Sequence, residues 1–226
     1  MQRTQRRHRP ARPRRFEEFA YVLDYKPLGN PTDRHPQHRS MPIVQLIGED
    51  YFMLLEGIPR KDAEVEIGER VYIGPIERLR LKIHHIDAEI TYDDLTSIAR
   101  EALPEILKQI IRSKEQLFIE FYNMADAITI RLHSLELLPG IGKKTVIKII
   151  EQRSIKPFTS FDDIKNRVGI DPLQPLVERI ILELQGKEKY YLFLEPRKLV
   201  RDQVEKPIFL NYLERIQERL RQQQST

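Results

Sequence analysis

The most informative segment of this chain is LELLPGIGKKTVIKII, which spans residues 135–150. It separates two stretches with helical periodicity, and the second stretch opens on Lys143 and Lys144. Gly140 and Gly142 should let the chain reverse within a few residues, because glycine adopts backbone angles that are costly for other residues. They also leave the amides at the start of the next helix uncovered, and such amides bind anions. The segment therefore predicts an anion-binding turn.

The spacing is typical of a helix-hairpin-helix, an element that grips nucleic-acid backbone without reading its sequence. Val146 stands where alanine is common, and the residues that match the pattern are Leu135, Leu138, Pro139, Gly140, Ile141, Gly142 and Ile149. A phosphate-binding P-loop is excluded, because Leu137 occupies its first glycine position and Lys144 stands where it needs Ser or Thr. We expect nucleic-acid contacts from Gly140, Ile141, Gly142, Lys143, Lys144 and Lys148. A hairpin that only packs or docks a protein is the alternative.

The basic character of the chain is concentrated at its N-terminus. Residues 1–15 contain no acidic residue and seven arginines, namely Arg3, Arg6, Arg7, Arg9, Arg12, Arg14 and Arg15. Removing these seven charges from the net charge of +4 leaves residues 16–226 at −3. We expect a disordered arm that contacts RNA, because guanidinium groups bind phosphate bidentately and stack on bases. A solvated tail that only aids solubility is the alternative.

Composition narrows the remaining classes. The chain has no cysteine, which excludes disulfides and thiolate metal sites. It has no apolar run near the length of a membrane span and no secretory signal, so we expect a cytoplasmic protein without a membrane partner. Asp33, His35 and His38 resemble a metal cluster only weakly, and a solvated loop is favoured there. We expect no metal and no cofactor.

The first part of the chain has the pattern of a β-sheet. Short segments rich in branched and aromatic residues predict strands at 19–25, 43–47, 51–55, 65–67, 70–73 and 80–83. Several short strands within about seventy residues predict a small closed barrel of the OB type at residues 16–90. Tyr21, Tyr25, Tyr51 and Phe52 could form a platform for single strands, but core positions are favoured because a small barrel needs large apolar residues.

Residues 91–196 have a helical pattern. We expect helices to start at Thr91, Ser113 and Ser160, each followed three residues later by Asp or Gln, and Pro104 to break or restart the first helix. Gly169 marks a second turn, which we interpret as a degenerate partner hairpin. Residues 197–226 should form a helical extension that docks on the body or on a partner through Phe209, Tyr212, Leu213, Ile216 and Leu220.

The order of these parts resembles an archaeal family of uncharacterised proteins, catalogued as domain of unknown function 655. The resemblance covers residues 16–196 and rests on the segments at 19–25, 47–52, 67–74 and 138–144. It implies an α+β protein in which an OB-like barrel precedes a helix-hairpin-helix region, and it implies nucleic-acid binding. Genes of the family tend to lie near genes for translation and ribosomal-RNA modification, which favours RNA.

The sequence therefore predicts an RNA-binding protein of translation or ribosome biogenesis. No nucleophile elbow or dinucleotide fingerprint is present, and we expect no enzymatic activity. Ribosomal RNA or a ribosomal subunit is the expected partner. A duplex-DNA-binding protein and a protein-docking adaptor remain as alternatives, and the oligomeric state is open.

Overall fold

A computed structural model describes residues 15–31, 36–196 and 206–224. Its main sheet is antiparallel, with the strand order β4-β1-β2-β3-β5, and it curls into a half-barrel. The strands are β1 (Phe19–Lys26), β2 (Ile43–Gly48), β3 (Leu54–Pro59), β4 (Arg70–Tyr72) and β5 (Ile83–Glu89). Within the described residues β4 and β5 do not pair, so the sheet is open between these two edges.

Three predicted strands differ from the structure. The strand predicted at 51–55 begins only at Leu54 and runs to Pro59. Residues 65–67 are not a strand, although the neighbouring Gly68 amide donates to the carbonyl of Val22. The strand predicted at 80–83 begins only at Ile83, and Arg80 lies in the preceding loop, where its side chain bonds to the backbone. Its Nε donates to the carbonyl of Gly74 at 2.7 Å and so fastens the β4–β5 connection. The alternation of polar and apolar residues at 80–83 therefore predicted a strand where residues 80–82 form a loop. The Arg80 side-chain hydrogen bond helps to hold this loop.

The connection between β2 and β3 is a loop of residues 49–53 that Glu17 organises, whereas the strands predicted at 43–47 and 51–55 left only residues 48–50 for the turn. The Glu17 carboxylate accepts the amides of Asp50, Tyr51 and Met53 at 2.8–3.1 Å. Gly48 makes room for this carboxylate, since a Cβ at Gly48 would lie about 2.0 Å from the Glu17 carboxyl carbon. The first acidic residue after the arm therefore shapes the end of the half-barrel.

Glu17 should give the protein a measurable pH dependence. Burial raises the pKa of Glu17 to about 7, against the three amides that lower it. A pKa above the unfolded value means that the folded state holds the proton more tightly, so the free energy of unfolding should fall as pH rises from about 4.5 to 7. The slope is at most about 1.4 kcal/mol per pH unit. Chemical denaturation should show that the wild type loses stability relative to Glu17→Gln as pH rises over this window. A pH-independent difference would refute the assignment.

Within the described ranges, six α-helices complete the fold. They are α1 (Ser97–Ser113), α2 (Glu115–Met124), α3 (Lys143–Ile155), α4 (Phe161–Val168), α5 (Leu173–Leu184) and α6 (Tyr212–Gln224). The predicted start at Ser160 is confirmed, because its side chain accepts the Asp163 amide at 2.9 Å. Ser113 does not cap α2; its hydroxyl donates to the carbonyl of Ile110.

The start of α1 ties the helices to the sheet. Thr91 and Asp94 form the predicted capping box, but they cap a short 3-10 helix, Tyr92–Asp94. Thr96 caps α1 itself, while its amide donates to Gln45 Oε1 at 2.9 Å and its hydroxyl to Asp24 at 2.7 Å. Pro104 lies inside α1 without breaking it. Burial of one helix face offsets the lost backbone hydrogen bond.

One hydrophobic cluster crosses the predicted domain boundary at residue 90. Tyr21 of β1 and Phe52 of the β2–β3 loop are 4% and 1% exposed and pack in the same cluster as the buried faces of the helices. These two side chains are therefore core residues, as favoured from the sequence, and cannot form a platform for bases. No helix in the described ranges is long and apolar enough to cross a membrane.

The C-terminal extension docks on the body. Tyr212, Leu213 and Ile216 of α6 are buried in the same cluster. Ahead of α6, β7 (Ile208–Phe209) pairs in parallel with β6 (Tyr190–Tyr191). The Tyr212 hydroxyl also donates to Asp126 Oδ1 at 2.6 Å, just before the hairpin segment. Of the two alternatives for the apolar stripe, the structure thus shows docking on this chain.

Candidate nucleic-acid interface

The glycine turn, residues 138–142, is preceded by a short 3-10 helix, Ser134–Leu137, and followed by α3. His133 caps the 3-10 helix, because its Nδ1 accepts the Leu135 amide at 3.1 Å. Burial, with Arg153 nearby, lowers the pKa of His133 and so favours the neutral ring that this bond requires. The turn itself closes through the Ile141 amide, which donates to the carbonyl of Leu138 at 3.1 Å. A capped and closed loop therefore leads into α3.

The start of α3 presents backbone donors to solvent. Gly142 occupies the N-cap position and offers no side-chain cap. In the part of the chain that the structure describes, the amides of Lys143, Lys144 and Thr145 donate to no protein acceptor. Both lysine side chains are exposed. Unbonded amides at a positive helix end, with two ammonium groups beside them, form an anion site.

The two glycines of the turn have different roles. Gly140 has φ +78°, in the left-handed region where only glycine is free of strain. Gly142 has φ −93° and ψ 175°, an extended conformation open to any residue, and a Cβ there would meet no atom within 4 Å. The expectation that both glycines serve the turn is therefore wrong for Gly142. The fold leaves this position free, and glycine there keeps the helix start uncovered.

Gly142→Asp should move stability and binding in opposite directions. The new carboxylate would cap the free amides of α3 and should stabilise the protein by about a few tenths of a kcal/mol relative to glycine. It would also place a negative charge where the phosphate is expected. Thermal unfolding and RNA titration check both signs. Gly142→Asn is the matched control, because it caps without charge and should weaken binding less. A stable Asp variant with unchanged affinity would contradict the site.

Lys148 extends the positive surface toward the second turn. Lys144 and Lys148 are four residues apart, so they share one face of α3, and Lys148 is exposed. Its Nζ lies 3.9 Å from the position a Cβ would take at Gly169. Gly169 has φ +81° and ends α4 before α5 begins, as predicted for a second turn. The structure therefore brings the lysines of α3 beside both turns.

The remaining predicted residues fall into three groups. The Ile141 side chain is 5% exposed and belongs to the core, so it holds the turn in place and is not available to a ligand. Arg3, Arg6, Arg7, Arg9, Arg12 and Arg14 lie outside the described residues. Arg15 is described and is bound to the body. It is paired with Glu214 and with Glu195, the latter at 3.3 Å, and its side chain is only 17% exposed.

Arg179 supports the turn from behind and was missed in the sequence. It is 1% exposed, and its Nε donates to Glu183 Oε1 at 2.8 Å. Other nitrogens of its guanidinium donate to the carbonyls of Leu137 and Tyr190. Glu183 in turn accepts backbone amides at residues 192–194. The only signal in the sequence is the i, i+4 spacing of Arg179 and Glu183, which is also typical of an exposed helix pair.

The described residues contain no group of three or more His, Asp or Glu side chains that could hold a metal ion. Of the loop residues that resemble a metal cluster in the sequence, Asp33 and His35 lie outside the described ranges.

Comparisons with known proteins place this architecture among uncharacterised proteins. The family model described as protein of unknown function (DUF655) matches residues 16–195. An uncharacterized protein of Methanocaldococcus jannaschii is 43% identical over 189 residues, which cover 83% of this chain and 84% of that protein. A crystal structure of an Archaeoglobus fulgidus protein of the same family model is 44% identical, with a TM-score of 0.72, and the match covers 79% of this chain and all of that one.

Proposed function

Because the chain belongs to the DUF655 family of proteins of unknown function, we propose its role from its geometry: it is a cytoplasmic protein that binds RNA without sequence specificity. The observation that carries the proposal is the start of α3. Three unbonded amides and two exposed lysines lie there beside Gly142, a glycine that the fold itself does not require. Phosphate groups are the ligands that such a site accepts. The protein acts by binding, without catalysing a reaction.

The architecture around the turn supports this role. Two glycine turns, each followed by a helix, lie side by side and agree with a helix-hairpin-helix pair, in which the first helix of the first unit is a short 3-10 helix. The strand order β4-β1-β2-β3-β5 agrees with an OB-type barrel that lacks only the pairing between β4 and β5. Both elements commonly serve nucleic-acid binding. The ribosome or its assembly intermediates offer the exposed RNA that such a protein would bind.

Binding measurements at one salt concentration test the proposal against its alternatives. The full chain is titrated with a ribosomal-RNA fragment, duplex DNA and single-stranded DNA. RNA should bind most tightly, and the native protein should co-sediment with ribosomal subunits in a lysate gradient. Preference for duplex DNA would replace RNA by DNA as the partner. Absence of binding to all three would refute the proposal and favour a protein-docking adaptor.

Deleting residues 1–14 should separate the arm from the body. Arg15 is retained, because its pairs with Glu195 and Glu214 belong to the fold. At high salt, the melting temperature should change little, since the deletion removes no residue of the described body. RNA affinity should fall sharply at low salt and less at high salt, where screening already weakens the arm. Equal affinity of the truncated and full chains at every salt concentration would show that the arm does not contribute to RNA binding.

A further inference from the structure

A cavity of about 450 Å³ opens between the unpaired edges of the half-barrel. Its apolar lining comes mainly from Met53, Leu55, Ile73 and Ile86. Asp87 and Glu89 of β5 also line it, and both are exposed. Asp87 Oδ1 lies 3.7 Å from His85 Nε2. The cavity therefore combines an apolar floor with the carboxylates of Glu17, Asp87 and Glu89, and the cations Arg15 and Arg80 line it as well.

An aromatic ring stands at the same opening. Phe16 lines the cavity and is 65% exposed. Among the phenylalanines and tyrosines of the described residues, it alone is exposed. Exposed rings beside carboxylates suit a guanidinium group, which stacks on the ring and pairs with the acid.

Arg15 already shows this mode of binding next to the cavity, with acids and rings that lie outside the cavity lining. It lines the cavity, and its guanidinium carbon lies 5.3 Å from the ring centre of Tyr51 and 5.4 Å from that of Phe209. Glu195 and Glu214 pair with the same group. Acids and rings of the body therefore hold the last arginine of the basic arm.

The chain that precedes Arg15 carries the matching charge. Residues 1–14 contain six arginines and no acid, and Arg15, which follows this segment directly, lines the cavity. Arg12 and Arg14 are within about 10 Å of Arg15 even along a fully extended chain. So short a tether gives an effective concentration in the millimolar range or above.

We propose that residues 1–14 bind in cis to this cavity when no RNA is present, with arginines paired to Asp87 and Glu89 and stacked on Phe16. RNA phosphates and the cavity then compete for the same guanidinium groups. While the arm is docked, its guanidinium groups do not contact RNA, and the arm leaves the cavity as RNA binds. The docking stands by itself, whereas the competition rests on the proposed RNA binding.

The docking is tested on the full chain without RNA. Because the sequence contains no cysteine, Thr4→Cys carries a single spin label. At low salt the label should broaden the amide signals of residues 85–89, and high salt should abolish the broadening. The double variant Asp87→Asn with Glu89→Gln should lose the broadening. Asp93→Asn with Glu101→Gln removes the same charge from two other exposed positions and should keep it.

Two outcomes of this experiment overturn the docking. One is a full chain whose β5 signals remain sharp at low salt. The other is broadening that arises only between molecules, which mixing of spin-labelled and isotope-labelled chains reveals, because the occupant is then a second copy.

The competition has its own readout. The Asp87→Asn, Glu89→Gln variant should bind a ribosomal-RNA fragment about three- to tenfold more tightly than wild type at low salt, since the arm no longer needs to be released. The matched Asp93, Glu101 variant should bind more tightly by a smaller factor that reflects net charge alone. Broadening that persists in saturating RNA would refute the competition. Broadening without any RNA binding would leave the docking intact and refute the proposed function.

Discussion

The double variant Lys143→Glu, Lys144→Glu should bind RNA on the order of 100-fold more weakly than the wild-type chain. Each lysine is expected to supply about one charge-assisted phosphate contact, worth roughly tenfold in affinity. The slope of log affinity against log salt should flatten by about one to two units. Stability should be kept or slightly raised, because glutamates in the first turn of α3 complement the helix dipole. Salt-dependent titration and thermal unfolding measure the two effects.

A matched variant separates the site from net charge. Lys61→Glu with Arg78→Glu changes the charge by the same amount at two exposed positions of the half-barrel. It should lower affinity less and leave most of the salt slope unchanged. If both variants lose affinity equally, the protein attracts RNA by overall charge and the turn is not a site.

Arg179→Met should have the largest effect on stability, a loss of about 3–5 kcal/mol in the free energy of unfolding. The substitution would leave Glu183 buried without its cation and would remove the donor that holds the carbonyl of Leu137 beside the glycine turn. Urea denaturation measures the loss. RNA affinity of the folded fraction should also fall, because the turn loses its support.

The pH dependence identifies the cause of this loss. Burial already raises the pKa of Glu183, and removing Arg179 should raise it further. The folded variant then binds a proton that the unfolded chain releases, so its deficit should be smaller at acidic pH and grow as pH rises. Glu183→Gln added to Arg179→Met should recover part of the stability at neutral pH. A deficit that is equal at all pH values would point to lost packing instead.

Local patterns predicted the local structure of this protein well. The aromatic and branched residues of β1 and the Ser160 cap of α4 were read correctly because neighbouring residues determine them. The prediction that Pro104 breaks or restarts the first helix was wrong, since the burial that keeps α1 continuous depends on distant parts of the chain. The β2–β3 loop was misread for a similar reason, because its shape depends on Glu17, more than thirty residues away.

The candidate site was predicted in position but not in its details. Gly140, Lys143, Lys144 and Lys148 follow from the local motif, and the structure places them at one helix start and face. The different roles of Gly142 and Ile141 depend on backbone angles and packing that no motif specifies. Arg15 resembles the other arginines in the sequence and differs only because Glu195 and Glu214 reach it from nearly two hundred residues away.

The most direct test of RNA binding at the start of α3 follows the backbone amides of residues 142–145 by NMR while a ribosomal-RNA fragment is added to the full chain. We predict that these four amides show the largest, saturable shift changes in the folded body, and that Gly142→Asp suppresses them. Binding of the RNA with no change at these amides would contradict the central claim, because the contact would then lie elsewhere.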